Sequence, residues 1–217
     1  MNFRSALFLV FFGISLLTHA QTTTFYKDAG LTKMCSEKKA KFKRVEFTDD
    51  EGTKIIQVLN IKSECLVKEE KYKNDLPAGV WWDYDEDCNF VLERDFNKLV
   101  YSDSLLPIYG NKEVELPEDF VMAQYGDSPT GVLTYISHNF VYPKEARKQG
   151  ISGKIYLQIL IKETGEVEVV SIIKSAHPLL DLNAWMVLEN MPNWTPATIG
   201  GKPVQSIYII PMNMQLG

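Results

Sequence analysis

The chain contains few His and Cys, two residue types that often act as bases and nucleophiles in enzymes. Its 217 residues include 3 His and 3 Cys. Only His138 and His177 follow residue 20, and neither belongs to a motif with a Ser or Cys nucleophile. Nucleophilic catalysis needs a base that lies within hydrogen-bond reach of its nucleophile. We therefore predict a protein that is not an enzyme, and that needs no cofactor and no small-molecule substrate.

The spacings typical of metal sites are missing as well. Cys35, Cys65 and Cys88 form no CxxC pair and have no His nearby in the sequence, which leaves little support for a zinc site. In an oxidising compartment one pair could bridge and leave one thiol free. Cys65 with Cys88 is the favoured pair, because both flank the same predicted strand pair. Three buried thiols are the alternative.

The chain also has no excess of positive charge, with 23 Lys and Arg against 28 Asp and Glu. The formal net charge is -5, which argues against binding to nucleic acid or to an anionic membrane surface. After residue 20, no segment approaches the 18 apolar residues of a transmembrane helix. We therefore expect the region after residue 20 to be soluble.

One short apolar run stands at the beginning of the chain. Leu7 to Leu17 follows Arg4 and precedes the small residues of Thr18-His19-Ala20, a pattern typical of a secretory signal peptide. We expect residues 1–20 to be cleaved during export. Eleven helical residues span only about 16 Å, roughly half of a bilayer core. The alternative is an uncleaved anchor in the inner membrane.

Residues 22–104 have the alternating pattern and the Gly/Asp turns of a small antiparallel β-meander. The most specific stretch pairs an aromatic strand with a turn at Pro77, followed by Gly79, Trp81 and Tyr84. This stretch resembles one copy of a MORN-type repeat. Its large aromatic side chains would supply the core of a thin sheet. A carbohydrate or peptide platform at Trp81-Trp82 is the alternative.

The next region has little periodicity. Residues 105–118 contain Leu-Pro and Tyr-Gly pairs and are predicted to be a connector. After them, Ser128 followed by Pro129 has the pattern of an N-cap with Pro at the first helical position. A short helix is expected to follow, with Val132, Leu133, Ile136 and Phe140 on one face.

The C-terminal residues alternate between strand and helix patterns. Two strands, at 154–162 and 167–174, are joined by a turn with Gly165 where positive φ is expected. In the second strand, the alternation slips between Val169 and Val170, which predicts a bulge. A short helix at 144–149 precedes these strands and a longer one at 178–189 follows them. A third strand is expected over 204–213.

The order of these strands can be argued from their connections. The first two form a hairpin, and the helix at 178–189 returns the chain so that the third strand can pair beside the first. The predicted fold is α+β, with a three-stranded antiparallel sheet in the order 2-1-3 and two helices on one face. Pro211 favours an edge position for the third strand, because Pro lacks an N–H.

An open edge of this kind suits an extended peptide that binds by strand addition. The third strand would present a row of free backbone donors and acceptors, and no Lys interrupts it. The predicted partner-binding residues are Val204, Gln205, Ser206, Ile207, Tyr208, Ile209 and Ile210.

Several short motifs in this unit, taken together with their order and spacing, resemble the TonB C-terminal domain over about residues 120–214. The matching fragments are Tyr142-Pro143 with Ala146, Gly150 and Gly153, Gly165 and Val167, Lys174-Ser175, Leu180-Asp181 with Ala184, Trp194, Pro196-Ala197, Gly201-Lys202-Pro203-Val204 and Pro211. The resemblance implies a domain at 119–217 that lies in the periplasm. It also implies a partner, an outer-membrane TonB-dependent transporter, whose TonB box is taken up as an added strand.

Other parts of the chain depart from the pattern of a full energy transducer. There is no Pro-rich spacer, and residues 1–20 are expected to be cleaved rather than to engage an inner-membrane motor. Peptide binding is therefore expected more firmly than transmission of force. The alternative function is that of an envelope structural or assembly protein, which would use the same edge strand to form a homodimer.

Overall fold

The computed structural model describes residues 21–126 and 130–216. The predicted signal peptide and the predicted N-cap at Ser128 with Pro129 lie outside these residues. None of the helices in the described ranges has the length and apolar character needed to cross a bilayer.

The N-terminal half forms one antiparallel sheet of seven strands. Six of them follow the order β1-β2-β3-β4-β6-β7, and the short β5 pairs with β4. The strands are β1 (Thr22–Tyr26), β2 (Phe42–Thr48), β3 (Lys54–Asn60), β4 (Leu66–Lys73), β5 (Leu76–Pro77), β6 (Val80–Tyr84) and β7 (Phe90–Asp95). The alternation of apolar and polar residues in these segments produces this meander, because each strand buries one face only.

A disulfide joins Cys65, just before β4, to Cys88 in the turn between β6 and β7. The two Cα atoms lie 5.9 Å apart, within the usual range for a bridge. The predicted pairing is confirmed, and Cys35 remains a free thiol.

The C-terminal sheet has three antiparallel strands in the order β10-β9-β13. They are β9 (Gly153–Ile161), β10 (Val167–Lys174) and β13 (Ser206–Met214). In the central β9, Ile155, Leu157, Ile159 and Ile161 all have 0% exposure, since they share the face that packs under the helices. The α+β class and the three-stranded C-terminal sheet are confirmed.

Two local predictions in the hairpin of β9 and β10 are also confirmed. The register shifts between Val169 and Ser171, so Val170 is the extra residue of the predicted bulge. Gly165 in the turn has φ of +85°, and a Cβ at this position would lie 2.1 Å from the carbonyl oxygen of Trp194. Both the conformation and the close contact therefore require glycine at the turn.

A second, smaller three-stranded sheet corrects the start of the third predicted strand. It consists of β8 (Phe120–Val121), β11 (Ala197–Ile199) and β12 (Lys202–Val204), in the order β12-β11-β8. Val204 pairs with Ala197 in this sheet, and Gln205 lies between β12 and β13. The edge strand therefore begins at Ser206 and not at Val204, because the chain first completes a separate hairpin.

Three α-helices lie in the described residues: α1 (Gly131–Asn139), α2 (Lys144–Lys148) and α3 (Pro178–Glu189). His177 caps α3, since its imidazole accepts a hydrogen bond from the Leu179 N–H. Leu180, Ala184 and Leu188 of α3 have 0% exposure, and Leu182 and Trp185 are also buried. This helix is covered on more than one side because it contacts β9 and β10 and also β5 of the N-terminal sheet.

The last part of the N-terminal sheet shares the apolar core of the C-terminal half, whereas Phe42, Val58 and Val67 form a smaller cluster of their own. Trp81 is fully buried and belongs to the same cluster of buried residues as Leu180 and Leu188. Its ring packs against Tyr72 and Phe96, with centroids 5.0 and 4.9 Å away. Burial of this ring supports a core role for Trp81 over the alternative of an exposed platform.

Candidate functional site

β13 is an edge strand of its sheet, and it pairs with β9 along one side only. In an antiparallel ladder, the backbone groups of alternate residues point toward opposite sides of the strand. The N–H of Ile207 points away from β9, since its acceptor is Tyr109. By the same alternation, the N–H of Ile209 points outward, and so does the position at Pro211 where the N–H is missing.

The side chains of β13 also divide between two faces. Ile210, Met212 and Met214 are buried toward the helices, and the Tyr208 hydroxyl donates to the Ala123 carbonyl at 2.6 Å. On the opposite face, Ile209 is 42% exposed, whereas Ile207 is only 2% exposed. These two side chains lie on the same face of β13 but differ sharply in solvent exposure. Another segment of the chain covers Ile207 and causes this difference.

That segment is residues 100–111, which we call the strap. It begins beside β10, where the Ile172 N–H donates to the Val100 carbonyl at 2.7 Å and the Ser102 N–H donates to the Ile172 carbonyl at 3.1 Å. The Tyr101 hydroxyl donates to Asp181 of α3 at 3.2 Å. This end of the strap thus pairs in parallel with the edge strand opposite to β13.

The middle of the strap binds a buried glutamine on β9. Gln158 Nε2 donates to the Ser104 carbonyl at 3.1 Å, and its Oε1 accepts from the Leu106 N–H at 2.9 Å. Gln158 has 0% exposure, although it lies on the face opposite to the aliphatic side chains of β9. A buried amide requires hydrogen-bond partners, and here the strap backbone supplies them.

The last part of the strap reaches the edge of β13. The Ile207 N–H donates to the Tyr109 carbonyl at 2.7 Å. Gly110 follows with φ of +98°, and a Cβ there would lie 2.1 Å from the Ile207 carbonyl oxygen. The expectation that the whole edge would be free is therefore wrong at Ile207, because a distant segment of the same chain already pairs there.

Beyond Ile207, the edge borders an open groove. This groove has a volume of about 310 Å³ and lies between α1 and the C-terminal half of β13. Its wall includes Leu133, Ile136 and Phe140 on one side and Pro211 and Met212 on the other. Leu133 is 57% exposed. An extended segment beside Ile209 and Pro211 would therefore find an apolar surface for alternate side chains.

A second polar cluster joins the N-terminal sheet to α2. The Glu145 carboxylate lies 3.1 Å from Lys68 Nζ and 3.2 Å from Arg94 Nη1, and Arg94 also pairs with Asp83 at 2.6 Å. Burial alone would raise the pKa of Glu145, but the charges of Lys68 and Arg94 lower it to about 2. This cluster holds two parts of the fold together and contains no nucleophile.

Asp181, in the first turn of α3, is also buried and fully hydrogen-bonded. It accepts from the Ser175 hydroxyl at 2.5 Å, the Ala176 N–H at 3.3 Å and the Tyr101 hydroxyl. Burial raises the pKa of this carboxyl, and the donated hydrogen bonds partly oppose that rise. These hydrogen bonds hold the start of α3 and the beginning of the strap in place.

Sequence reasoning located β13 but missed the residues that cover it. Tyr109, Gly110 and Gln158 gave no signal, because two of the contacts use backbone atoms and Gln158 resembled any polar residue on the outer face of a strand. Of the predicted binding residues, the structure places Ser206, Ile207, Tyr208, Ile209 and Ile210 together on β13. Within the described residues, no group of three or more His, Cys, Asp or Glu is arranged to hold a metal ion.

Comparison with known proteins gives one match. No curated protein matches the chain, and no solved structure matches it. The MORN-type resemblance of the N-terminal sheet has no counterpart in the match, which begins at His138 and covers less than half of the chain. Residues 138–216, which include all three strands of the C-terminal sheet, match the family described as the C-terminal region of the Gram-negative bacterial TonB protein.

Proposed function

We propose that this chain is a periplasmic, non-enzymatic binding module that takes up an extended peptide by strand addition on the outer edge of β13. The observation that carries the proposal is the position of β13 at the end of its sheet, with the Ile209 N–H and the Pro211 backbone directed away from β9. Main-chain hydrogen bonds of this kind supply affinity in strand addition, and pockets for alternate side chains supply specificity.

The match to the TonB C-terminal region suggests the partner. We propose a TonB-box-like segment of an outer-membrane transporter, bound beside Ile209 and Pro211 with its apolar side chains in the groove against α1. The edge contains no Lys, and the groove wall is largely apolar, so the ligand surface is expected to be apolar as well. Association with energy-dependent transport across the outer membrane follows from this partner.

The test is a pair of substitutions at Ile209. In Ile209→Pro the outward N–H is removed, a change that an edge strand tolerates, as Pro211 shows two residues later. Ile209→Thr keeps the N–H and the β-branched shape, and it serves as the matched control. With a synthetic TonB-box peptide from an outer-membrane transporter, the Pro variant should bind roughly fivefold more weakly than the control, since a lost hydrogen bond is worth about 1 kcal/mol.

Equal binding by the two variants would show that the peptide uses another surface. Sedimentation velocity over a concentration series addresses the alternative function. A monomer at low micromolar concentration agrees with a receptor edge, whereas a stable dimer that Ile209→Pro dissociates would assign the same edge to self-association in an envelope assembly.

A further inference from the structure

The strap covers the N-terminal part of the edge that the proposed ligand would use. A peptide strand that extends from Pro211 past Ile209 meets the Tyr109 carbonyl and Gly110 at Ile207. The Ile207 N–H is already bonded to Tyr109, and the backbone at Gly110 lies close enough to the Ile207 carbonyl to exclude even a Cβ. Only the part of the edge from Ile209 onward is therefore open to an external strand.

The strap buries fewer of its own side chains than the strands beneath it. Val100 and Tyr101 are each 50% exposed, and no strap residue before Asn111 is buried. Segments that bury few of their own side chains open at lower free-energy cost than core strands. The sheet below, by contrast, has a fully buried aliphatic face, so the strap can leave while the sheet remains folded.

The polar contacts of the strap are suited to reversible release. Gln158 is bonded to two backbone groups of the strap, at Ser104 and Leu106. When the strap departs, the face of β9 is exposed, and water can satisfy both ends of the amide. Release therefore leaves neither end of the Gln158 amide without a partner, and the penalty for an unpaired buried amide is avoided.

We propose that the strap is an intramolecular gate on the β13 edge, and that a partner strand pairs with Ile207 only after it displaces residues 108–110. This proposal rests on the proposed function, because it concerns access to the same edge. Binding then has two stages. The partner first pairs at Ile209 and beyond, and it next replaces Tyr109 at Ile207.

One substitution should open the gate without altering the edge itself. In Gly110→Ala the new Cβ would overlap the Ile207 carbonyl oxygen and would strain a residue at φ of +98°. The matched control is Gly52→Ala, where φ is +78° but no atom lies within 4 Å of the added Cβ. Both variants place a Cβ on a residue with positive φ, and only the first brings that Cβ into contact with β13.

The first measurement is amide hydrogen exchange at Ile207. We expect exchange there to rise at least tenfold in Gly110→Ala, with no change in Gly52→Ala and little change at Tyr208 and Ile210, whose N–H groups point to β9. The second measurement uses a labelled peptide of residues 104–112 of this chain. It should bind to Gly110→Ala at least tenfold more tightly than to the wild type or to Gly52→Ala.

Unchanged exchange at Ile207 in Gly110→Ala would overturn the gate. If that variant does not fold, exchange in the wild-type protein decides the question. The Ile207 amide should then exchange by local opening, faster than the amide of Tyr208, and exchange of both only on global unfolding would make the strap a fixed part of the fold. If the strap peptide binds as expected but a transporter peptide binds no form of the protein, the gate stands and the proposed partner is wrong.

Discussion

Arg94 Nη1 lies 3.2 Å from the Glu145 carboxylate, and this pair connects the last strand of the N-terminal sheet to α2. Arg94 is 9% exposed, and its guanidinium also stacks over the Trp81 ring at 5.1 Å. Arg94 therefore contacts both an acidic residue of α2 and an aromatic ring of the N-terminal sheet, at the junction between the two halves. Neither half is expected to keep its full stability when this pair is broken.

The first prediction concerns the energy of that pair. Glu145→Ala should lower the free energy of unfolding by about 1–3 kcal/mol, less than the 3–5 kcal/mol for a fully buried pair, because the Glu145 side chain keeps 26% exposure. A cycle with Arg94→Met, which keeps a long side chain over Trp81, measures the coupling by urea denaturation.

An exposed ion pair in the same protein provides the control. Lys162 and Glu166 lie 3.8 Å apart with side-chain exposures of 40% and 58%, so Glu166→Gln should change stability by less than about 0.5 kcal/mol. Equal effects of the Glu145 and Glu166 substitutions would show that the junction contributes no more than a surface pair.

The second prediction is a loss of stability in acid. The pKa of Glu145 is lowered to about 2 in the folded protein, below the ordinary value near 4.5. Its contribution to stability is therefore complete above about pH 4.5 and is lost as the pH falls toward 2. Melting temperatures across this range should fall more steeply in the wild type than in Glu145→Gln. Parallel curves for the two proteins would contradict the assignment.

The third prediction concerns the disulfide. The Cys65–Cys88 bridge closes a loop with a sequence separation of 23, for which loop entropy gives roughly 3 kcal/mol. Replacement of both Cys by Ser should lower the free energy of unfolding by about that amount, as measured by urea denaturation under oxidising conditions.

The third cysteine supplies the comparison. Cys35 is free, so Cys35→Ser should unfold at nearly the wild-type urea concentration. Addition of a reductant should destabilise the wild type and Cys35→Ser equally and should leave the double Ser variant unchanged. Sensitivity of the double Ser variant to reductant would mean that the bridge is not the source of the effect.

Much of the C-terminal fold follows from local signals in the sequence. The run of alternating aliphatic residues from Ile155 to Ile161 specifies one buried face, and Gly165 specifies the turn that follows. The sequence predicts the helix at 178–189 with the bounds that the structure has, because His177-Pro178 marks its start. These features depend on residues within a few positions of each other.

The strap that covers Ile207 could not be predicted, because its contacts with β13 produce no local pattern in the sequence. Tyr109 and Ile207 are almost a hundred residues apart and meet through backbone atoms, which are the same in every residue type. Residues 105–118 have no period, so they were predicted only as a connector. The sequence predicts the start of β13 two residues too early, because Val204 is a β-branched residue typical of strands but pairs in another sheet.

The strap also sets the concentration at which an outside strand can compete. A segment tethered to its own binding site acts at an effective concentration that can reach the millimolar range for a short connection. A free peptide at micromolar concentration is therefore disfavoured at Ile207, even when its intrinsic affinity equals that of residues 108–110. A partner that is itself confined next to the protein also acts at a high effective concentration, and it can therefore compete with the strap.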